Sequence, residues 1–408
     1  PDAIGILRYV EYVVEHGSLM AVDFMRYYPT GFANLEEFTL LTQLIAGFYH
    51  IYHFFVPWVS VAQAHVVFPA FAFVLVLVFF FLFVRKAFDW KIALLASAFL
   101  AVIPAFLERT VIGVSDKEAM AMIFFFLTLY LFLAFILEKK LWKSVFFVVG
   151  AALSGAVLWL LWGGFVFVFL TIGTFVLLLV LLERISLRQI CLYTLFFLIP
   201  LLAIKIFYPA RYNFLGLLMT PAIGMLFFAL VLGFVHYFLF MKDPFHIRSK
   251  IFVPPIIFSV LIVFFIGILF FAFSYGPGAL WDKISYTFFD VLDPFSATRW
   301  SITVAENFQP YFSDWLFTFG WQYLVLTFLG GALLFYHTFG FLGKKMYLFM
   351  GAYLFLVLAI AVSRYTRASS LNGENFTSQA FFVLGLVIFF AYSVYLFVSL
   401  YRKDRAFF

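Results

Sequence analysis

The chain is a succession of long apolar runs separated by short polar connectors. Runs such as Phe68 to Val84 and Ile251 to Phe273 contain no ionisable side chain. At the helical rise of about 1.5 Å per residue they are long enough to cross a hydrocarbon core of about 30 Å. They lack the every-second-residue alternation that marks a membrane β-barrel strand, so the pattern predicts helices. It places eleven spans at roughly 64–84, 91–107, 119–137, 144–160, 164–182, 189–206, 214–240, 251–273, 321–341, 347–363 and 378–400. A further apolar segment, 42–57, is short and carries Thr42, Gln43, His50 and His53. It is predicted to lie along the membrane interface.

Composition makes the membrane assignment firm. Of the 408 residues, 66% are hydrophobic and 11% charged, against about 25% charged in a soluble domain. With a mean hydropathy of +1.09, no soluble globule of this size hides so much apolar side chain, and the expected fold class is an all-α polytopic membrane protein. The 65 phenylalanines read as lipid-facing bulk. Cys191 lies in a predicted span and has no second cysteine to pair with. The net charge of +6 does not point to nucleic acid, because the cations sit at helix ends.

The placement of charge orients the chain. With 42–57 left out of the spans, one set of alternate connectors holds Arg85, Lys86, Lys91, the 139–143 lysines, Arg184, Arg188, Lys242, Arg248, Lys250, Lys344, Lys345 and the basic C-terminal end. Together these are 16 of the 26 Lys and Arg, the pattern of cytoplasmic loops. The opposite set, 1–63, 108–118, 274–320 and 364–377, holds 15 of the 20 acids. The expected organisation is a first outer loop with an interfacial helix (1–63) and a transmembrane domain (64–408) bearing outer loops 108–118 and 274–320. The chemistry is expected on the extracytoplasmic side of a cell membrane.

Three outer loops carry unusual polar constellations. The first has Asp2, Arg8, Glu15-His16, Asp23 and Arg26-Tyr27-Tyr28-Pro29-Thr30-Gly31; the second is Glu108-Arg109-Thr110 through Gly113 to Asp116-Lys117-Glu118; the third contains Thr303-Val304-Ala305-Glu306 and Gln309-Pro310. Acids in an Asp-X-Glu arrangement just before a span can converge on a hard divalent cation, which takes oxygen ligands and offsets charge on a leaving phosphate. The bland alternative is a solvated loop end. His16, His50, His53 and His65 are read as interface or packing residues rather than ligands.

Taken together, these segments resemble the catalytic subunit of oligosaccharyltransferase, the enzyme of asparagine-linked glycosylation, in its archaeal single-subunit form. Asp2 to Arg8 is similar to that family's first acidic motif, and Tyr28-Pro29-Thr30-Gly31 to the turn that follows it. Arg109 to Glu118 is similar to the second acidic motif, and Thr303 to Glu306 to its Thr-X-X-Glu motif. The resemblance implies a helical bundle of the C-type glycosyltransferase superfamily. It implies Asp2, Asp116 and Glu118 as ligands of Mn²⁺ or Mg²⁺, with Glu36 standing where archaeal members often have a metal-binding His. It implies Asp2 and Glu306 as carboxylates that hold the acceptor amide, and Arg364 as the contact to donor phosphate.

The implied substrates are a dolichol-linked oligosaccharide and a polypeptide bearing Asn-X-Ser/Thr, with membrane lipids around the bundle and no nucleic acid. The implied reaction inverts the anomeric carbon. The chain opens on Pro1-Asp2 and lacks the family's Trp-Trp-Asp-Tyr-Gly motif. The first span, the last span and a C-terminal soluble domain are therefore expected to lie outside it, leaving a fragment without full activity. Asn375-Phe376-Thr377 is itself an acceptor triplet. Two other readings stand beside this one. Another C-type transferase, acting on O-mannosyl or lipid-sugar substrates, would lack the long 274–320 loop. A secondary transporter would place charges within its spans.

Overall fold

A computed structural model of the chain describes residues 2–34, 39–209, 213–244, 246, 254–282, 285 and 310–403. Two compact units emerge, residues 1–247 and 248–408. The first unit contains α1 (Asp2–His16), strands β1 (Val22–Asp23) and β2 (Phe32–Ala33), α2 (Leu40–Phe55), α3 (Val61–Ala87), α4 (Trp90–Leu100), α5 (Pro104–Glu108), α6 (Lys117–Leu137), α7 (Leu141–Leu161), α8 (Phe165–Leu181), α9 (Leu187–Phe207), α10 (Phe214–Leu218) and α11 (Pro221–His236). The second contains α12 (Pro255–Tyr275), α13 (Phe312–Phe339), α14 (Lys344–Val362) and α15 (Phe376–Lys403).

Local chemistry sets where the helices start. Ser60 and Gln63 form a reciprocal capping box at the head of α3, and Ser186 and Gln189 do the same for α9. The Asp89 carboxylate accepts from the Lys91 and Ile92 amides at 2.7 and 2.9 Å, opening α4. Each device satisfies amides that have no partner inside the helix. Among the described residues, nine helices are long and apolar enough to cross a bilayer.

Two of the eleven predicted spans are shorter than expected. The 91–107 segment breaks at Ala101–Ile103, because Pro104 holds Ile103 in extended backbone (φ −68°, ψ 121°) and restarts the chain as α5. The 164–182 segment forms the 17-residue α8, near the lower limit for crossing a bilayer. The 214–240 segment likewise divides before Pro221 into α10 and α11, and α11 continues into a π-helical turn, Tyr237–Met241. At the other end of the chain, α13 begins at Phe312, nine residues before the expected 321. It passes a kink at Gly320, whose φ of +75° a side chain would strain. The predicted interfacial segment forms α2, and residues 2–16, read as loop, form α1.

Packing in the first unit is between neighbouring spans, chiefly α6 with α7, α8 with α11, α3 with α6 and α7 with α9. Lipid offers little hydrophobic drive for helix association, so close approach and polar contacts do that work. A Cβ added at Gly173 on α8 would lie 2.8 Å from Met225 Cγ and 3.1 Å from the Leu226 nitrogen on α11. The Thr128 hydroxyl donates to Ser154 Oγ at 2.9 Å between α6 and α7, both buried. Trp159, Tyr193, Phe135, Phe169 and Phe196 fill the interior. In the second unit, Phe335, Phe349 and Leu396 form the core between α13, α14 and α15.

The first acidic segment is tied down by one buried carboxylate. Arg8 of α1 forms a two-pronged ion pair with Asp23 of β1, one prong at 3.0 Å. The Tyr9 hydroxyl donates to the same carboxylate at 2.7 Å, and the Met25 amide at 3.0 Å. Asp23 is 1% exposed. The Arg8 hydrogen bond dominates, and the carboxyl is held down at about 2. The antiparallel pair Val22–Ala33 and Asp23–Phe32 then closes a loop whose Tyr28–Pro29 bond is cis.

Candidate active site

The segment between α5 and α6 is built to aim two acids. Gly113 takes φ +90°, a conformation open to glycine, and its amide donates to Val66 O of α3 at 3.0 Å. The Ser115 hydroxyl, fully buried, donates to the main-chain oxygen of His65. These two contacts fasten the segment to α3 immediately before Asp116. Asp116 is extended (φ −117°, ψ 168°) and caps α6, its carboxylate accepting from the Lys117 amide at 2.6 Å. Glu118 follows in the first turn, where the helix dipole favours a negative charge. The switch from extended chain to helix thus sets two carboxylates side by side. Arg109 approaches Asp116 at 3.9 Å while half its side chain remains in solvent.

Glu118 is the informative member. It is 7% exposed, and among the described residues its Oε2 has no hydrogen-bond partner. A buried carboxylate oxygen without a donor is costly, and a divalent cation is a group that would satisfy it. Hard cations take oxygen ligands, so the donor set of Asp116 and Glu118 fits Mg²⁺ or Mn²⁺. Among the described residues, no group of three or more His, Cys, Asp or Glu gathers to complete such a site. Asp2 is the first residue of α1, and its side chain falls outside the described residues. So do Glu36 and Glu306, together with the rest of the Thr303–Glu306 motif.

Arg364 belongs to the second unit and is held from several directions. It follows α14 and pairs with Asn372 in an isolated antiparallel bridge. Its main-chain oxygen accepts from the Phe312 amide at 2.8 Å, at the head of α13. Its guanidinium lies 4.5 Å above the Tyr311 ring, and the residue is 8% exposed. Its sequence neighbour Arg367 is exposed. Arg364 is thus kept from water and braced on a ring, whereas Arg367 is not.

The histidines read as packing residues make local contacts. His16 stacks on Tyr12 with centroids 4.0 Å apart, His53 Nδ1 lies 3.2 Å from Val59 O, and His65 is buried. Asn375 of the acceptor triplet caps α15, its Oδ1 accepting from the Ser378 amide at 3.0 Å. Asn34 carries no motif. This residue is 2% exposed beside a cavity and bonds to the main chain of Met20 and Ala21, just before β1.

A bundle of membrane-spanning helices, with a capped Asp-X-Glu pair at the head of one span in the first unit, defines a multi-pass membrane protein with a candidate cation site. The family model described as "Oligosaccharyl transferase STT3, N-terminal" matches residues 7–371, and the chain belongs to that family. It is similar in fold to the oligosaccharyltransferase of Archaeoglobus fulgidus. In the apo form the TM-score is 0.62 at 17% identity, covering 98% of this chain and 47% of that one. A second structure, archaeal oligosaccharyltransferase AglB from the same organism with an inhibitory peptide and a dolichol-phosphate, gives 0.60 at 16% identity, covering 99% and 48%. A third, tethered to an acceptor peptide containing the NVT sequon, gives 0.59 at 14%, covering 98% and 51%. The chain therefore spans about half the length of the structures it matches.

Proposed function

We propose that this chain forms the membrane half of an oligosaccharyltransferase that moves a glycan from a dolichol-phosphate or pyrophosphate carrier to the asparagine amide of Asn-X-Ser/Thr sequons. The observation that carries the reading is the buried Glu118 with its unpartnered Oε2, set beside the helix-capping Asp116, in a chain of this family. Relatives bound to a dolichol-phosphate and to a sequon peptide support the two substrates. The chemistry is proposed to face the extracytoplasmic side, as the charge bias of the connectors suggests.

In this reading Asp116 and Glu118, joined by Asp2 and with Glu36 as a further candidate, hold Mn²⁺ or Mg²⁺. The bound ion supplies positive charge where phosphate charge develops. Arg364 is the proposed contact to donor phosphate, a role suited to its fixed fork of donors. An amide nitrogen is a poor nucleophile, because its lone pair is delocalised into the carbonyl. Asp2 and Glu306 accept hydrogen bonds from the amide N–H groups, loosening that delocalisation and aiming the nitrogen at the anomeric carbon. The N–C bond forms as the C–O bond to phosphate breaks, and attack on the face opposite the leaving group inverts the centre. The amide proton passes to a carboxylate.

The test is glycan transfer to a fluorescent Asn-X-Thr peptide by the enzyme that contains this chain, with Mn²⁺ or with EDTA, the product's anomeric configuration being read by NMR. Transfer that needs the ion, inverts the anomer and is abolished by Asp116→Ala is the expected result. Transfer indifferent to EDTA and to Asp116→Ala, or with retained configuration, overturns the mechanism.

A further inference from the structure

The first unit holds a cavity of about 270 Å³ bounded by the turn after α1, by Asn34, by the head of α2 and by the end of α9. Among the described residues, neither Asp116 nor Glu118 lines it. Ser18, Asn34, Thr39, Gln43, Phe207 and Tyr208 do, with aliphatic side chains between them. Its frame is pinned: the Thr39 amide donates to the Tyr208 hydroxyl at 3.1 Å, tying α2 to the end of α9.

Asn34 is the observation that points to a ligand. It is 2% exposed, its amide nitrogen Nδ2 donates to Met20 O at 3.0 Å, and its backbone N–H donates to Ala21 O at 3.0 Å. The Nδ2 bond fixes the orientation of the side chain, since the flipped amide would set two acceptor oxygens against each other. Among the described residues Oδ1 is left without a partner, in a residue that lines the cavity. A buried acceptor is normally satisfied, and the space exceeds that of one water, about 30 Å³ in the liquid.

The lining specifies the class of occupant. Two carboxamides, two aliphatic hydroxyls and a phenol surround the cavity, and each side-chain type can accept a hydrogen bond and donate one. Phe207 adds an aromatic ring. Neutral groups of this kind match a molecule with several hydroxyls and an apolar C–H face. The volume falls below the roughly 300–1,000 Å³ of pockets for drug-sized ligands, which suits a single sugar ring. We propose that this cavity is a neutral sugar subsite in which Asn34 Oδ1 accepts a hydroxyl hydrogen bond and Gln43 and Phe207 border the ring. Asn34 lies two residues before Glu36 in the chain. Assigning the sugar to the glycan of the lipid-linked donor rests on the proposed function; recognition of a sugar ring does not.

The test uses the protein in lipid nanodiscs and saturation-transfer NMR with the methyl glycosides of glucose, galactose, mannose and N-acetylglucosamine. At least one glycoside is expected to receive saturation on its ring protons. Gln43→Trp fills the cavity from an exposed position on α2, and Asn34→Ala removes the acceptor. Each is expected to weaken binding at least about tenfold, with Gln43→Trp leaving helical content and melting temperature unchanged. In parallel, Gln43→Trp is expected to weaken binding of the lipid-linked oligosaccharide and to spare dolichyl phosphate. Saturation of no glycoside, or binding that Gln43→Trp leaves intact, overturns the subsite. Glycoside binding lost in the variant together with unchanged donor affinity supports the sugar site and overturns its assignment to the donor.

Discussion

Replacing Asp23 by Asn removes the charge that joins α1 to the hairpin while keeping the shape of the side chain. A carboxyl held at about 2 rather than the ordinary 3.8 represents about 2.4 kcal/mol of differential interaction at neutral pH. Asp23 is 1% exposed, but Arg8 leaves 31% of its side chain in solvent, and screening reduces the figure to about 2 kcal/mol. The folded state lowers this pKa, so the stabilisation is complete above the titration of an unfolded aspartate. It disappears as pH falls toward 2.

In Asp23→Asn the new amide also turns N–H groups toward donors on Arg8 and Tyr9. The loss is local, because the contacts of Asp23 lie in α1 and the hairpin. Hydrogen exchange read by mass spectrometry on peptides covering 17–34 at pH 7 should therefore accelerate roughly 30-fold. A peptide from α6 should exchange at its original rate. A rise of less than about threefold in 17–34, or an equal rise in α6, would refute the reasoning that this carboxylate is a local clasp.

Three further outcomes follow from the packing and the site. Gly173→Ala should destabilise the protein by about 1–3 kcal/mol, because the new methyl meets Met225 and the Leu226 backbone, whereas Gly47→Ala, with nothing within 4 Å, should not; thermal unfolding in detergent compares them. A double-mutant cycle of Thr128→Val and Ser154→Ala should return a coupling of about 0.6 kcal/mol, read by the same unfolding assay. Arg364→Gln should weaken dolichyl phosphate binding about 10- to 100-fold through the loss of charge-assisted hydrogen bonds; Arg364→Lys should recover part of it, and Arg367→Gln should leave it unchanged.

The spans were legible because an uncharged apolar run of some twenty residues has few options other than a membrane helix. Run length alone hid the breaks before Pro104 and Pro221, where the local rule that proline straightens its predecessor prevails over hydropathy. Residues 2–16 were harder. Their charges suggested loop, yet Val10 and Val13 are buried, and the Arg8–Asp23 pair that secures the helix joins residues fifteen apart in sequence. The position of Asp116 and Glu118 at the head of a span was legible, since it follows from their spacing and the local chain direction. That Arg364 is buried against Tyr311 while Arg367 is exposed is tertiary and has no local signal in the sequence. Asn34 has no sequence signal, because its orphan oxygen is created by a carbonyl at Met20.

Whether Asp116 and Glu118 bind a divalent ion that holds donor phosphate is read from binding of a dolichol-linked oligosaccharide to the purified protein with Mn²⁺ or EDTA. Binding that requires Mn²⁺ and is lost in the Asp116→Ala, Glu118→Ala double variant, while the protein remains folded, is the expected result. Binding of equal strength with EDTA, or in the folded double variant, would contradict it.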